Sequence, residues 1–368
     1  MNEWPARSDQ GDYAGDAGAG DAWAASDATV PVKTASSRRH WRPSLWDLLA
    51  VVPIALLAFA AVTFVHPPHA GLLALALMLE AHIFIVVFVV LAPIALLARA
   101  RVLGAALAVV VLVGGGLFGS EWLSLPASAA SRHDLTAMTW NLDDEVRTPA
   151  EAAAQLEHTG ADLIALQEIE PPAAAAIAAD LTITFGYPYR ALAPLWGGNG
   201  LAVLSRYPIE NAVTSADPPS LELIVDTPLG PVRVIDAHPA HGQVDKASRL
   251  QLPVDFNPKE RKLDIARLRK LIDPVLYSGE RLLMLGDFNT APSDPENGVL
   301  SKGLRDTHVQ VGEGPGWTWR PDRLAFLPMA FVRIDRQFTA GRIFPASTSV
   351  DCSLPGDHCR LFGAYEID

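Results

Sequence analysis

The sequence predicts three N-terminal transmembrane α-helices followed by an α/β domain in which two β-sheets pack together with helices outside them. Three long apolar runs between residues 44 and 123 predict the membrane helices, because roughly 20 apolar residues span a bilayer. After residue 133, short patterns of buried strands outnumber well-separated helical patterns, which is typical of two packed sheets with outer helices. The 368 residues are sufficient for both parts.

Residues 1–43 are predicted to form a disordered cytoplasmic tail. Most of this segment is rich in Ala, Gly and Asp and shows no apolar period. Such a segment cannot bury enough apolar surface to offset the entropy that the chain loses when it becomes ordered. No folded element is therefore expected before the first apolar run.

A three-helix membrane anchor is predicted over residues 44–123, from apolar runs at 45–65, 71–98 and 102–122. Buried core helices are the alternative, but three such runs in series are rare in soluble domains. The first run also begins too far from the N-terminus, and is too long, for a cleaved signal peptide. Glu80 and His82 lie inside the second run, either as a functional pair within the membrane or at a packing face or bend.

The basic residues around the apolar runs predict the orientation of the anchor. They precede the first run and separate the second from the third, at Lys33, Arg38, Arg39, Arg42, Arg99 and Arg101. The loop 65–70 and the stretch 104–131 contain neither Lys nor Arg. Because positive charge is retained on the cytoplasmic side, we expect a multi-pass protein of the cell membrane with a cytoplasmic N-terminus and an extracytoplasmic domain.

A short linker, 124–133, is predicted to lead into a domain at 134–368. From residue 132 onward, 22 Lys and Arg residues stand against 32 Asp and Glu residues, a formal net charge of −10. This charge makes nucleic acid a poor partner, because affinity for it comes largely from basic contacts to phosphates. The only two cysteines, Cys352 and Cys359, either form a disulfide in an extracytoplasmic domain or remain free thiols, and their spacing does not decide between these alternatives.

Strand and helix patterns are interspersed along the domain. Helices are predicted at 149–158, 171–180 and 258–275. Strands are predicted at 135–140, 162–166, 200–205, 221–225, 232–235, 282–285, 334–339 and 360–367.

Six short motifs with acidic or histidine residues lie at the ends of apolar runs. They are Thr139-Trp140-Asn141-Leu142-Asp143, Leu166-Gln167-Glu168, Asp236-Ala237-His238, Gly286-Asp287-Phe288-Asn289, Arg333-Ile334-Asp335 and Gly356-Asp357-His358. Strand ends at one edge of a sheet would bring these groups together as a carboxylate-rich metal site beside two histidines. That combination is typical of enzymes that break phosphate esters, and the apolar runs indicate that the reaction takes place at a membrane.

Five of these motifs, in this order, resemble those of the endonuclease/exonuclease/phosphatase superfamily. The shared features are the Asn near the first strand, the Gln-Glu pair, the Gly-Asp-Phe-Asn loop, the Ile-Asp strand and a terminal Asp-His, across residues 135–368. The resemblance implies a four-layer sandwich, helices on both sides of two packed sheets, and hydrolysis of phosphate esters with a divalent metal. Two departures are Gly356, where the family has Ser, and Asp236-Ala237-His238-Pro239, where it usually has Thr-His-Leu.

For individual residues, the resemblance first implies a Mg²⁺ site, and Mn²⁺ is a second candidate for the bound ion. Mg²⁺ prefers oxygen ligands and keeps several waters, so one or two carboxylates are sufficient. Glu168 is the first choice as ligand, with Asn141 and Asp143 nearby and Asp357 beside the ion.

The catalytic residues implied by the resemblance are His238, Asp287, Asn289, Asp335 and His358. Asp287 would orient or activate the attacking water, and Asn289 would bind the phosphate. His358 needs a carboxylate to set its tautomer and to stabilise its charged form, and Asp335 matches that position. His238 would contact a phosphate oxygen or protonate the leaving group. His241 and His308 have no counterpart in the family and are expected to be ordinary surface residues.

The three apolar runs make the chain similar to the bacterial membrane-anchored branch of that superfamily, which resembles the vancomycin/teicoplanin-resistance membrane protein. This resemblance implies an outward-facing hydrolase of phosphate esters or pyrophosphates, with a lipid-linked substrate such as undecaprenyl pyrophosphate. The alternatives are an extracytoplasmic nuclease, a phospholipid or sphingolipid phosphodiesterase, and a non-catalytic membrane scaffold that keeps the fold. The acidic charge disfavours the nuclease, and the complete set of motifs disfavours the scaffold.

Overall fold

Four layers, in the order helix, sheet, sheet and helix, make up the domain that follows the apolar helices. The computed structural model describes residues 44–123, 133–142, 148–157, 159–247, 252–324 and 326–368, all of which belong to one compact unit, Pro43–Asp368. The predictions for the tail 1–43, for nearly all of the linker and for Asp143 lie outside these residues. The predicted fold class, with its apolar helices and its two packed sheets flanked by helices, is confirmed.

The apolar part begins with a 3₁₀ turn, Leu45–Ala50, that continues into α1. Its helices are α1 (Val51–Val65), α2 (Gly71–Met78), α3 (Glu80–Leu97) and α4 (Arg101–Trp122). Three stretches are long and apolar enough to cross a membrane, namely Leu45–Val65, Glu80–Leu97 and Arg101–Gly119. The second run therefore differs from the single helix expected at 71–98, since it divides into α2 and α3.

The break between α2 and α3 lies where the domain contacts the anchor. Leu79 has φ −102° and ψ 11°, outside the helical conformation. The hydroxyl of Ser293 donates to the carbonyl of Leu77 at 3.0 Å, so this carbonyl finds a partner outside its own helix. Glu80 and His82 follow directly, and the ring of His82 stacks on Trp317 with centroids 4.3 Å apart. Both residues thus lie at a bend beside the domain, which is one of the two alternatives that the sequence left open.

Hydrogen bonds at the end of the apolar helices remote from the domain hold these helices together. The carboxylate of Asp47 accepts from the backbone N–H groups of Val102 at 2.8 Å and Leu103 at 3.3 Å, in the first turn of α4. These N–H groups have no partner within the helix, and the helix dipole favours an anion there. Since α3 and α4 are joined by only three residues, they run antiparallel, and Arg99 and Arg101 lie at the end of the helices that is remote from the domain.

The domain contains fourteen strands among the described residues. They are β1 (Leu135–Asn141), β2 (Leu163–Gln167), β3 (Tyr189–Ala193), β4 (Leu201–Ser205), β5 (Ile209–Ala216), β6 (Pro219–Thr227), β7 (Gly230–Ala237), β8 (Gln243–Ala247), β9 (Leu252–Asn257), β10 (Leu282–Asp287), β11 (Arg305–Asp306), β12 (Asp335–Ala340), β13 (Ile343–Asp351) and β14 (Arg360–Ile367). The helices are α5 (Pro149–Ala154), α6 (Pro171–Ala179), α7 (Leu181–Gly186), α8 (Lys259–Ser278), α9 (Pro295–Leu300) and α10 (Thr307–Val311), with a 3₁₀ turn at Asp322–Leu324.

Each large sheet has six strands and a parallel pair near its centre. The first sheet has the order β13-β14-β1-β2-β4-β3, with β1 parallel to β2. The second has the order β11-β12-β10-β7-β6-β5, with β7 parallel to β10. The strands β8 and β9 form a separate hairpin. The carboxyl ends of the parallel strands of one sheet lie at the same edge, and the neighbouring antiparallel strands β12 and β14 begin at that edge.

Three apolar clusters separate the four layers. The central one joins the inner faces of both sheets, for example Leu163 and Val203 with Val234 and Leu285. A second lies between the first sheet and α5, α6 and α7, and a third lies between the second sheet and α8. The strands β1, β2, β4 and β10 are almost completely buried, which accounts for their continuous apolar sequences.

Several elements differ from the expectations for the sequence. The strands β3, β5, β8, β9 and β13 were not predicted. In β5 most residues are exposed, so the sequence shows no apolar pattern there. The surface position expected for His308 is wrong, because its side chain is 5% exposed and its Nε2 lies 2.9 Å from the carbonyl oxygen of Gly314.

A disulfide joins Cys352 and Cys359, so the bridge is the alternative that the structure supports. It connects the end of β13 with the residue before β14 and closes a loop with a sequence separation of 7. Asp357 and His358 lie inside this loop. The buried guanidinium of Arg320 holds the same loop by donating to the carbonyls of Gly356 at 2.8 Å and Leu354 at 2.6 Å.

Replacing Cys352 and Cys359 together by Ser is expected to lower the free energy of unfolding by about 2–3 kcal/mol, because a crosslink of this loop length restricts the unfolded chain. The measurement is denaturant unfolding of the detergent-solubilised protein, compared with the wild type with and without reductant. Identical unfolding midpoints for all three samples would contradict the expectation.

Candidate functional site

The site residues lie at one edge of both sheets because of the strand directions. Asn141 ends β1 and Asp287 ends β10, while Glu168 and His238 directly follow β2 and β7. On the antiparallel strands, the equivalent position is the start of the strand. Asp335, the first residue of β12, pairs with Asp287 in the sheet register, and His358 lies two residues before β14.

Asn141 connects the two sheets at this edge. Its side-chain amide donates to Glu168 Oε1 at 2.8 Å and to Asp287 Oδ2 at 3.1 Å. Glu168 leaves β2 with φ +56°, a conformation that costs free energy for a non-glycine residue and that clusters at functional sites. One neutral amide therefore holds two carboxylates from different sheets beside each other.

Gly286 allows β10 to carry Asp287 to this edge. Its φ is +145°, and a Cβ at this position would lie 2.1 Å from the carbonyl oxygen of Ala237 in the neighbouring strand β7. Any other residue would push the two strands apart. The glycine of the Gly-Asp-Phe-Asn motif is thus required by the close approach of the two strands that deliver Asp287 and His238.

His358 is held by a buried carboxylate. Its Nδ1 lies 2.9 Å from Asp335 Oδ2, and its Nε2 lies 3.7 Å from Asp287 Oδ2. The hydroxyl of Thr318 accepts a hydrogen bond from the backbone N–H of Asp335 at 3.0 Å, which fixes the start of β12. Burial by itself lowers the pKa of His358, but the carboxylates of Asp335 and Asp287 outweigh it and raise this pKa well above its ordinary value. The imidazole consequently remains protonated at neutral pH.

His238 shares Asp287 with His358 and has Glu168 as its second carboxylate neighbour. Its Nε2 lies 3.6 Å from both Glu168 Oε1 and Asp287 Oδ2, and its Nδ1 lies 3.0 Å from the carbonyl oxygen of Gly198. Burial lowers the pKa of His238, whereas Asp287 and Glu168 raise it, and the net shift is upward. For Asp287, burial raises the pKa, but His358 and His238 outweigh burial, so this pKa lies well below its usual range and the carboxylate stays ionised.

Two further predicted residues border the site. Asn289, with φ +51°, donates its backbone N–H to Asp287 Oδ1 at 2.8 Å and its amide to the carbonyl of Pro239 at 3.1 Å. Asp357 accepts from the indole N–H of Trp319 at 3.0 Å. The glycine that replaces the Ser of the family, Gly356, has φ +122°, a conformation that Ser would rarely adopt. That departure therefore fits the turn that this chain makes.

The site opens into a cavity of about 1080 Å³. Glu168, His238, Asp287, Asn289 and His358 line it, together with Asp357. Leu75 and Met78 of α2 line the same cavity, and the hairpin of β8 and β9 contributes Val244 and Phe256. The polar site is thus bordered by α2, one of the apolar helices that precede the domain.

The donor set at the edge fits a hard divalent cation. The Glu168 side chain is 26% exposed, reaches the cavity and has no Lys or Arg partner within ion-pair distance among the described residues. Carboxylate and amide oxygens with room for water are what Mg²⁺ prefers. Asp287, Asp335 and His358 form a second possible ligand group. In that group the Nδ1 of His358 is already hydrogen-bonded to Asp335, an arrangement that suits orientation of the imidazole better than ligation.

Eight of the nine predicted site residues therefore lie together, and Asp143 is outside the described residues. Their metal-binding and catalytic roles remain predictions. Three groups that position them were missed: the carbonyl of Gly198 for His238, the indole of Trp319 for Asp357 and the hydroxyl of Thr318 for β12. Thr318 and Trp319 lie in the stretch Trp317-Thr318-Trp319-Arg320. Its two closely spaced tryptophans were the feature of the sequence that could have indicated these groups. His241 is exposed and borders the cavity.

Comparison with known families gives a match over most of the domain. Residues 138–358 match the sequence profile of the Endonuclease/Exonuclease/phosphatase family. This range covers more than half of the chain and includes all six motifs. No curated protein matches the chain.

Similar solved structures include proteins from three bacteria. An endonuclease/exonuclease/phosphatase from Beutenbergia cavernae is 21% identical, with 64% of this chain and 72% of that chain covered and a TM-score of 0.47. A 3′-5′ exonuclease from Neisseria meningitidis is 22% identical, with 64% and 100% covered and a TM-score of 0.46. A beta toxin from Staphylococcus aureus with bound magnesium ions is 15% identical, with 63% and 99% covered and a TM-score of 0.46.

Replacing Asp335 by Asn is expected to lower the pKa of His358, since an adjacent negative charge is lost. The measurement is an NMR titration of histidine-labelled protein in detergent, with His358 assigned by its own replacement. Asp273→Asn, which removes an exposed carboxylate on α8, is the matched control and should leave the titration unchanged. An unaltered His358 pKa in Asp335→Asn would show that Asp335 does not hold the charged imidazole.

Proposed function

Because the chain belongs to the endonuclease/exonuclease/phosphatase family, we propose that it is a divalent-metal-dependent hydrolase of phosphate esters or pyrophosphates. The observation that carries this proposal is the convergence of Asn141, Glu168, Asp287 and two histidines at one edge of the sheets. Three carboxylates, those of Glu168, Asp287 and Asp335, lie around the two imidazoles without Lys or Arg partners among the described residues. The two imidazoles therefore supply positive charge for a phosphate group, and the carboxylates can orient or activate a water molecule at the same edge.

Glu168, with Asn141 and Asp357 beside it, would hold Mg²⁺ or Mn²⁺. When bound, the cation neutralises charge on the phosphate oxygens and so favours attack on phosphorus. Asp287 remains ionised and accepts a hydrogen bond from the attacking water, which orients the water. The low pKa of Asp287 makes it better suited to positioning that water than to taking its proton at an early stage.

The histidines and Asn289 act on the phosphate. His358, kept charged and oriented by Asp335, stabilises negative charge that develops on the phosphoryl oxygens. The Nε2 of His238 lies 3.6 Å from Asp287 Oδ2, and its protonated ring can give a proton to the leaving oxygen. Asn289 faces the cavity and supplies an amide donor to a phosphate oxygen.

The substrate class that we propose is a lipid-linked phosphate or pyrophosphate of the undecaprenyl pyrophosphate type, as in the membrane-anchored branch of the family. The supporting observation is that Leu75 and Met78 of the anchor line the same cavity as Glu168 and His358. An apolar border of this kind favours a substrate with a hydrocarbon part. The net charge of −10 from residue 132 onward weighs against a nuclease.

We propose further that the domain lies outside the cytoplasm. Arg99 and Arg101 lie at the end of the helices remote from the domain, and basic residues mark the cytoplasmic side. The disulfide between Cys352 and Cys359 supports the same orientation, since such bridges persist in oxidising compartments.

Glu168→Ala, Asp287→Ala and His358→Ala are each expected to reduce hydrolysis by ~10²–10⁴ or more, because each removes a metal ligand or a group that acts on the phosphate. Hydrolysis is measured in detergent at saturating Mg²⁺, as phosphate released from lipid pyrophosphates and nucleotides and as cleavage products of a generic phosphodiester, phospholipids and DNA. Asp273→Ala is the control for loss of a carboxylate, and circular dichroism checks the folding of every variant.

Full turnover in a folded variant would remove that residue from the mechanism. A wild type that hydrolyses DNA but none of the lipid phosphates would replace the proposed substrate by nucleic acid. A wild type without turnover on any substrate at any divalent metal would favour the non-catalytic scaffold.

A reporter that is active only outside the cytoplasm, fused after Asp368, is expected to be active. The reason is the asymmetry of basic residues between the two ends of the apolar helices. A second fusion within the 98–100 connection is the control and should be inactive with the same reporter. Activity of a cytoplasm-only reporter after Asp368 would invert the orientation.

A further inference from the structure

A second cavity of about 600 Å³ lies between the apolar helices and the domain. Its anchor side includes Ala60 and Phe64 of α1 and Leu117 of α4. Its domain side includes Ala291 and Gly298, from the segment that follows the Gly-Asp-Phe-Asn motif. The volume is within the range of cavities that hold a small-molecule ligand. None of the catalytic groups described above lines it.

This cavity adjoins the site cavity. Met78 of α2 and Val332 line both of them. Met78 also packs against an apolar cluster that contains Ala291, Val332 and Ile334. The boundary that the two cavities share is therefore apolar. It connects the neighbourhood of His358 with the surface of the apolar helices.

The charged groups in the second cavity indicate which part of a ligand it could take. Its acidic groups are Glu80 and Glu121, at the domain-side ends of α3 and α4, and Asp294 of the domain. Arg333 also lines it, but its guanidinium is already paired with Asp306 at 2.8 Å and with Glu121 at 3.5 Å. Asp294 is paired with Arg261 at 3.1 Å. Three carboxyl groups, beside a single lining arginine that already has two carboxylate partners, disfavour a phosphate there, because like charges repel.

The opposite end of the second cavity is apolar. Ala60, Phe64 and Leu117 belong to stretches that are long and apolar enough to cross a membrane. Phe64 is 78% exposed, so the cavity reaches the outer surface of the helices, where a bilayer would lie. The cavity thus changes from polar near the domain to apolar near the membrane, as an amphiphilic molecule does.

We infer that this second cavity binds the hydrocarbon chain of a lipid-linked phosphate while the phosphate occupies the catalytic edge. The chain would pass between Met78 and Val332 and continue along α1 and α4. The inference rests on the proposed function and adds a substrate-selecting site to it. It requires that the enzyme discriminates between substrates by the length of their hydrocarbon chain, since each buried methylene adds to affinity.

The test compares a long-chain prenyl pyrophosphate with its short-chain, water-soluble counterpart on the full-length protein in detergent. Gly298→Phe places a ring in the second cavity, and a Cβ at this glycine meets no atom within 4 Å. The matched control is Gly186→Phe, at an exposed glycine of α7 where a Cβ also meets no atom within 4 Å. We expect Gly298→Phe to lower the ratio of kcat/KM for the long chain to that for the short chain by about tenfold, and Gly186→Phe to leave this ratio unchanged.

A second measurement uses the wild type and does not depend on the folding of a variant. A lipid pyrophosphate with a photoreactive group on its chain should label the segments that contain Ala60, Phe64 and Leu117. Labelling confined to the outward surface of the helices, such as Val89 and Leu112, would overturn the inference.

The outcomes separate the inference from the proposed function. An equal ratio in the wild type, Gly298→Phe and Gly186→Phe, with the lipid pyrophosphate still hydrolysed, overturns the chain-binding site alone. The same holds if both Phe variants lower the ratio equally. Hydrolysis of soluble phosphate esters without any hydrolysis of lipid pyrophosphate in the wild type overturns the proposed substrate class.

Discussion

The side chain of Asn141 is the contact on which the arrangement of the catalytic edge depends. It joins Glu168 of the first sheet to Asp287 of the second, so the two sheets must lie in one relative position for both hydrogen bonds to form. Behind it, Gln167 donates to Asp236 at 2.6 Å and makes a second buried polar link between the sheets. Gln337 makes a third link, donating to the carbonyl of Leu361 at 3.1 Å and accepting from the hydroxyl of Tyr365 at 2.6 Å. The apolar contacts between the sheets would tolerate small shifts, because the hydrophobic effect has no direction. Buried hydrogen bonds, in contrast, are costly to leave unmade.

The same edge concentrates negative charge that the fold has to balance. Asp287 and Asp335 are almost completely buried, and two histidines supply the neighbouring positive charge. The closest arginines in sequence, Arg333 and Arg336, are directed away and pair with Asp306. A protein that used arginine to neutralise this edge would close the site to a cation and to phosphate. Because histidines balance the carboxylates instead, the edge remains open to both a cation and a phosphate group.

The sequence predicted those parts of the fold that rest on local patterns. The buried strands and the motifs at their ends could be located because continuous apolar runs end in Asn141, Glu168, Asp287 and the Asp357-His358 turn, and strand direction then brings them to one edge. The groups that orient these residues were harder to predict from the sequence, because Gly198 and Trp319 contact residues that are distant in sequence. The break at Leu79 was missed for the same reason. It depends on Ser293, more than 200 residues later, which bonds the carbonyl of Leu77.

The loop that carries His358 is held in two different ways, by the Cys352–Cys359 bridge and by the guanidinium of Arg320. The first depends on the redox state of the surroundings, and the second does not. In a reducing environment, the hydrogen bonds of Arg320 can already shape this turn. Oxidation of the two cysteines then adds a covalent bond that keeps the turn in this shape. In the proposed orientation, with the domain outside the cytoplasm, passage across the membrane would act as a maturation step that lengthens the lifetime of the catalytic geometry without having to create it.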